Sequence, residues 1–209
     1  MTYPRVYAYI DGFNLFYGAL KHPERKKYRW LNVEKLIKSI YTPSQKYGIK
    51  KIKFYTARIV PHSTTDDAPK NQQLYFNALK TIDNIEIILG NFISKPTKFP
   101  KHPISTPPEI VEVLKTEEKG SDVNLASHLV LDAALNNFDL AIVVTNDTDL
   151  YEPLRIAKEE FNKKIVLICP HNKIAATFKK LDILKFVIET KHLKISQFDD
   201  TAQKPKMWS

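Results

Sequence analysis

The sequence predicts an α/β protein whose mainly parallel central sheet is covered by helices on both faces. Three observations carry that expectation. Short apolar, β-rich segments alternate along the chain with helix-length segments, the pattern of βαβ units. The strongest of them, residues 140–145, is apolar, β-branched and uninterrupted, as suits a strand buried on both faces. Hydrophobic residues make up 43% and charged residues 26%, the usage of a globular protein and not of a disordered, collagenous or coiled-coil chain. At 209 residues the chain has room for one large domain or two small ones. No repeat or linker divides it, so one domain over residues 1–198 with a polar tail over 199–209 is expected.

The elements follow in order. Residues 6–10 (Val6, Tyr7, Ala8, Tyr9, Ile10) form an apolar run that stops at Asp11-Gly12, a buried strand ending in a turn. Segments 13–20 and 33–41 are apolar at helical spacing, joined by the basic stretch 21–29, whose cations suit a solvated face. Residues 52–59 read as a second strand, 66–81 as a helix with Leu74, Phe76, Ala78 and Leu79 on its apolar face, and 85–89 as a third strand. Residues 95–108 hold five of the 13 prolines, which predicts a loop or extended flap outside the core. Residues 110–114 alternate, as an edge strand does. Ser121 or Asp122 starts a helix running to about Asn136, with Val123, Ala126, Leu129, Val130 and Ala133 spaced for burial. Strand 140–145, helix 151–161, strand 165–169, a short helix near 174–181 and a final strand around 186–188 complete the pattern.

Lys and Arg number 32 against 23 Asp and Glu, a formal charge of +9. That excess points to an anionic partner, nucleic acid ahead of membrane. Glycine is scarce, with 5 residues against roughly 15 at a typical usage of about 7%. A glycine-rich phosphate loop is therefore excluded. The one cysteine, Cys169, rules out an internal disulfide framework, fits a reducing cytosol and lies in an apolar run as a buried structural thiol. Six histidines are scattered without metal-ligand spacing, which argues against zinc. No apolar run approaches the roughly 18 residues that span a bilayer, and the chain reaches Asp11 before a signal-type apolar region forms. A cytoplasmic location is expected.

Acidic residues gather where strands end. Asp11 follows the first strand, and Asp147 with Asp149 follows strand 140–145. In one parallel sheet these ends share an edge, the edge where open α/β sheets bind ligands. Asp122 opens the helix that leads into strand 140–145. Each residue also suits a bland role: Asp122, Asp147 and Asp149 as helix caps, Asp11-Gly12 as a turn, Asn14 as its hydrogen-bond partner. Their joint occurrence favours a shared site. Carboxylates crowded in one cleft repel each other and resist ionising together, which a bound divalent cation resolves. All-oxygen ligands select Mg²⁺ or Mn²⁺, and the chemistry implied is metal-assisted hydrolysis of a phosphodiester.

These residues also carry a resemblance. Asp11-Gly12-Phe13-Asn14 resembles the DxxN signature of NYN domains, in the PIN-like nuclease superfamily. Lys119-Gly120-Ser121-Asp122-Val123 resembles the family's second block, and Thr145-Asn146-Asp147-Thr148-Asp149-Leu150 its third. The three stand in the family's order, and the resemblance runs from about Val6 to Phe198, closest to bacterial single-domain NYN proteins. It implies a Rossmann-like three-layer α/β/α sandwich acting as a metal-dependent endoribonuclease. Asp11, Asp122 and Asp147 would bind Mg²⁺ (or Mn²⁺) directly or through water, Asp149 would be a further ligand or orient the attacking water, and Asn14 would fix Asp11 or contact substrate. For an additional Glu that PIN toxins place on a helix after the first strand, Glu34 is a weak candidate.

RNA, single-stranded or looped, is the expected partner, with Lys119, Arg58, Lys95, Lys98 and Lys101 as its basic contacts; a homodimer is left open. Glu112, Glu117 and Glu118 fit a role in holding Lys115 or Lys119. Two other readings compete. A haloacid-dehalogenase-type phosphatase needs an acid two residues after its nucleophilic Asp, where this chain has Phe13. A non-catalytic RNA-binding or regulatory module would bind without turnover.

Overall fold

In a computed structural model of the chain, which describes residues 4–42, 48–61 and 65–199, seven strands form one sheet. They are β1 (Val6–Asp11), β2 (Ile49–Ala57), β3 (Ile85–Pro100), β4 (Ile110–Lys119), β5 (Leu140–Val144), β6 (Lys164–Cys169) and β7 (Leu184–Val187). Their order is β4-β3-β2-β1-β5-β6-β7, and every neighbouring pair is parallel except β3 with β4. The expected α/β class is the one the chain adopts. From β1 the chain winds outward through β2 and β3, then returns to β5 and winds the other way. The reversal between β1 and β5 makes a crevice at the carboxyl ends of both strands.

The helices are α1 (Gly12–Leu15), running into a π-helical turn over Phe16–Leu20, then α2 (Val33–Ile40), α3 (Ala68–Leu79), α4 (Ser121–Ala134), α5 (Tyr151–Glu159), α6 (Ala176–Lys179) and α7 (Thr190–Ile195). Successive strand residues face opposite sides, so each face of β1 feeds its own core. Val6, Ala8 and Ile10 pack with Leu15, Leu36, Ile37, Leu79 and Leu193 from α1, α2, α3 and α7. Tyr9 packs on the other face with Leu125, Leu129, Leu154 and Phe178 from α4, α5 and α6. Three layers result. None of the described helices is long and apolar enough to cross a membrane.

Some elements differ from expectation. Of the loop or extended flap expected over 95–108, Lys95–Pro100 is the extended kind: β3 continues to Pro100 outside the core and pairs antiparallel with β4 from Asn91↔Lys119 to Pro100↔Ile110. β2 pairs with β3 only as far as Gly90, so the outer half has one free edge, where proline's missing N–H costs no ladder bond. On α4 the buried stripe is Leu125, Leu129 and Ala133, while Val123 is 68% exposed, so the helix is rotated from the expected phase. The basic stretch contains a 3₁₀ helix over Pro23–Tyr28, with Arg25 donating to the Ala19 carbonyl and Arg29 to that of Leu20. α7 was not expected, its six residues being too few to show a period. Of the tail assigned to 199–209, Asp199 ion-pairs with Lys35, and residues 200–209 lie outside the described residues.

A buried polar knot fixes α4 on the sheet. The Lys53 ammonium of β2 donates to Asp132 of α4 at 2.6 Å, the Tyr9 hydroxyl donates to the same carboxylate at 2.7 Å, and the Asn137 amide donates to its other oxygen at 3.0 Å. Burial alone would raise the Asp132 pKa, but these donors outweigh it and hold the carboxylate below its ordinary range. Removing one partner of such a pair strands the other charge. Asp132→Ala is therefore expected to destabilise the fold by about 3–5 kcal/mol in urea unfolding, and Lys53→Met combined with Asp132→Leu to recover most of the loss.

Candidate active site

Asp11 ends β1 and begins the site. Its side chain caps α1, with Oδ1 accepting the Asn14 backbone N–H at 2.8 Å, while Oδ2 accepts the Thr145 hydroxyl at 3.1 Å. Asp11 is only 4% exposed. Gly12 follows it because a Cβ there would lie 2.7 Å from the Tyr55 carbonyl oxygen. Beyond β5, the Thr145 hydroxyl accepts the Asp147 N–H at 3.1 Å, and Asp147 Oδ1 accepts the Asp149 N–H at 3.0 Å, capping the 3₁₀ turn Thr148–Leu150. The capping role of Asp147 is thus real, and one carboxylate both caps and faces the crevice. Asn14 closes the frame: its Oδ1 accepts the Asn146 N–H at 2.9 Å.

Asp122 arrives from the far side of the sheet. Gly120, at φ 104°, takes the left-handed conformation that turns β4 into α4, one that glycine adopts without the Cβ penalty. Glu118 then accepts both the backbone N–H of Ser121, at 3.1 Å, and its hydroxyl, at 2.8 Å. With Glu118 serving the N-terminal donors of α4, the Asp122 carboxylate in the first turn is left for the crevice.

The resulting cleft, about 370 Å³, is lined by Asp11, Asn14, Glu118, Asp122 and Asp147 together with Phe13, Tyr17, Phe92 and His171. Its electrostatics are those of crowded acids. Burial pushes Asp11 up to about 7, Asp122 and Asp147 add to the rise, and the hydrogen bonds from Asn14 and Thr145 only partly offset it. Asp122 is raised by burial and then by Asp147, Glu118 and Asp149.

Of the site residues expected from sequence, Asp11, Asn14, Asp122 and Asp147 meet in this cleft. Asp149 is exposed beside it. Glu118 takes the fourth acidic place on the lining, while its neighbour Glu117 holds Lys115 at 2.6 Å and Lys119 at 3.4 Å. Lys119 therefore pairs on the face of β4 opposite Glu118. Lys95 sits across from Lys115 on that outer face, whereas Lys98 shares the face of Phe92. Lys101 pairs with Glu109 at 3.0 Å, near the hairpin tip. Arg58 follows β2 on the same sheet edge, donating to Gln73 at 2.7 Å and covering the Phe76 ring. Glu34 pairs with Lys38 along α2. Tyr17 and His171 escaped the sequence reading because no spacing sets them apart. That Phe92 sits opposite Glu118 on the cleft became visible only with the hairpin register.

Comparison with known proteins places this geometry in context. The family model of the NYN domain matches residues 5–184. The 6-hydroxy-3-succinoylpyridine 3-monooxygenase HspA of Pseudomonas putida is 31% identical over 207 residues, covering 87% of this chain. The chain spans 64% of that relative's length. A solved structure of a protein of unknown function from Vibrio parahaemolyticus superposes with a TM-score of 0.54 over 91% of this chain and 98% of the other, at 15% identity, a likeness of fold.

The raised Asp11 pKa sets a pH dependence. Between its ordinary 3.8 and about 7 the folded protein binds this proton more tightly than the unfolded chain, so ionising Asp11 costs folding free energy. Stability without added divalent metal is expected to fall as pH rises across that window, by up to about 4 kcal/mol. Urea unfolding at stepped pH measures it; in Asp11→Asn that component of the slope should vanish.

Proposed function

The chain belongs to the NYN domain family, a nuclease-like family, and from that membership and its acidic cleft we propose that it is a metal-dependent endoribonuclease hydrolysing phosphodiester bonds in single-stranded or looped RNA. The carrying observation is the convergence of Asp11, Asp122, Asp147 and Glu118 on one cleft at the reversal in strand order, within a chain of net charge +9. Among the described residues no three His, Cys, Asp or Glu side chains close into a metal cage. The donor set nevertheless fits Mg²⁺ or Mn²⁺: all donors are oxygens, and Mg²⁺ keeps several waters and takes one or two carboxylates plus substrate phosphate oxygens. Asp11 and Asp122 are raised by burial first and then by their acidic neighbours, both of which a bound cation would offset.

Asp11, Asp122 and Asp147 are the residues that would hold the ion, with Asp149 or Glu118 orienting water at the rim. When bound, the ion supplies an activated water and neutralises charge on the phosphate. The protein's own part is to fix carboxylate positions. Thr145 and Asn14 keep Asp11 in one orientation, and the Asp149 N–H holds Asp147. Lys98 is the best placed of the basic residues to meet RNA, being on the hairpin face that Phe92 shares with the cleft; Lys119, Arg58, Lys95 and Lys101 would act as outer contacts. We assign this activity to a domain over residues 1–198. A cytoplasmic site of action accords with the free buried thiol of Cys169.

Incubating a mixed RNA panel with Mg²⁺, Mn²⁺ or EDTA tests the proposal. Cleavage should need the metal and fall at least about 100-fold in Asp11→Asn and in Asp147→Asn. Metal should raise the melting temperature of the wild type at pH 8 and leave that of Asp11→Asn unmoved. A second reading comes from the Pseudomonas relative, whose name gives a pyridine oxygenation, and the aromatic wall of the cleft is the feature that favours it. Intact RNA beside turnover of 6-hydroxy-3-succinoylpyridine would decide for that reading.

A further inference from the structure

One wall of the cleft is aromatic rather than acidic. Phe13 and Phe92 meet edge to face at 5.8 Å and 83°, tying α1 to the hairpin, so each ring is committed to the other. Tyr17 is not buried in this way. It lines the same cleft with 56% of its surface exposed, although large aromatic surface is usually withdrawn from water. Its backbone is the π-helical turn Phe16–Leu20, a distortion found mostly as single turns and frequently at functional sites. The Phe16 ring braces Tyr17 edge-on at 5.5 Å, and the Lys21 ammonium sits 4.5 Å from its centroid.

His171 borders the same wall. Its ring rests against Gly18 so closely that a Cβ there would lie 2.7 Å from it. The loop carrying His171 is pinned by Asn146, which donates to the Lys173 carbonyl at 3.2 Å and accepts the Ala175 N–H at 2.9 Å. Asn146 in turn donates to Asn14. The loop that carries His171 is therefore tied to the same hydrogen-bonded frame that sets Asp11 and Asp147.

We propose that Tyr17 is a nucleobase platform: the base beside the scissile phosphate stacks on its ring, His171 borders that base, and Lys21 takes the adjoining phosphate. This rests on the ribonuclease reading and adds a substrate requirement, an unpaired nucleotide at the cut. Every base has a π-face, so the platform tolerates any sequence. A duplex offers no such face without unpairing.

Binding of fluorescein-labelled single-stranded RNA by the non-cleaving Asp147→Asn protein gives the test, with a matched hairpin duplex and a series carrying one abasic nucleotide at successive positions. Tyr17→Ala should weaken single-strand binding about 5- to 100-fold, while Tyr17→Phe stays within about twofold of the parent. For the oligonucleotide abasic at the stacked position, Tyr17→Ala should have no further effect. Unchanged binding in Tyr17→Ala overturns the platform, as does equal weakening by Tyr17→Phe or equal loss across the abasic series. Because Tyr17 is exposed, matched melting temperatures separate a binding loss from a folding loss. Wild-type cleavage with Mn²⁺ beside an inert Tyr17→Ala change would sink the platform alone. A wild-type protein that neither cuts nor binds RNA would sink the ribonuclease reading with it.

Discussion

The Thr145 hydroxyl joins the two strand ends on which the site is built. It donates to Asp11 and accepts from the Asp147 N–H, so one buried oxygen relates both carboxylates to the backbone. Its reach depends on the in-register parallel pairing of β1 with β5, which sets Ile10 beside Val144. Slipping that register by one residue would turn Asp11 and Thr145 to opposite faces and empty both cores together. Hydrophobic packing and site geometry are thus specified by the same alignment. Asn14 and Asn146 extend it outward, carrying the restraint from α1 to the loop around His171.

Against that frame the molecule handles two buried carboxylates in opposite ways. Asp132, near the end of α4, receives Lys53, Tyr9 and Asn137, and stays ionised below the ordinary carboxylate range. Asp11 receives one N–H and one hydroxyl, and burial first and then two acidic neighbours push it up to about 7. A purely structural carboxylate would be expected to follow the first pattern. The second stores unfavourable charge in a cleft, the arrangement through which perturbed groups mark functional sites. One helix serves both ends of this contrast, since the knot at Asp132 fixes the α4 whose first turn presents Asp122.

Much of this was legible in the sequence because the strands are short and apolar and end abruptly. Asp11 and Asp147 could be placed on one edge from that alone, whereas Asp122 depended on how its helix approaches the sheet and joined them only through the family resemblance. Glu118 could not: lying among Lys115, Glu117 and Lys119, it reads as another surface ion-pair partner, and only the alternation of β4 separates its face from theirs. Tyr17 was hidden for the converse reason, since an aromatic inside an apolar helix reads as core until the π-helical turn rotates it outward. The hairpin was obscured by its prolines, which signal a loop wherever the free edge is not known. On α4, Val123 and Leu125 exchanged roles because apolar residues occur all round that helix, leaving its phase to packing.

Toward a polyanionic substrate, the basic excess would act at a different range from the site. Several cations expected at the substrate are already occupied: Lys119 by Glu117, Lys101 by Glu109, and Arg58 by Gln73. Ion pairs at exposed positions cancel at short distance yet leave the net +9 intact, and it is the net charge that draws a polyanion from beyond the first contact. On the proposed reading, close contact would then fall to Tyr17, Lys21 and Lys98, with the cleft carboxylates meeting phosphate through a bound metal ion. If Tyr17 is the platform proposed, long-range attraction without sequence preference followed by local stacking would select for an unpaired strand rather than for a sequence.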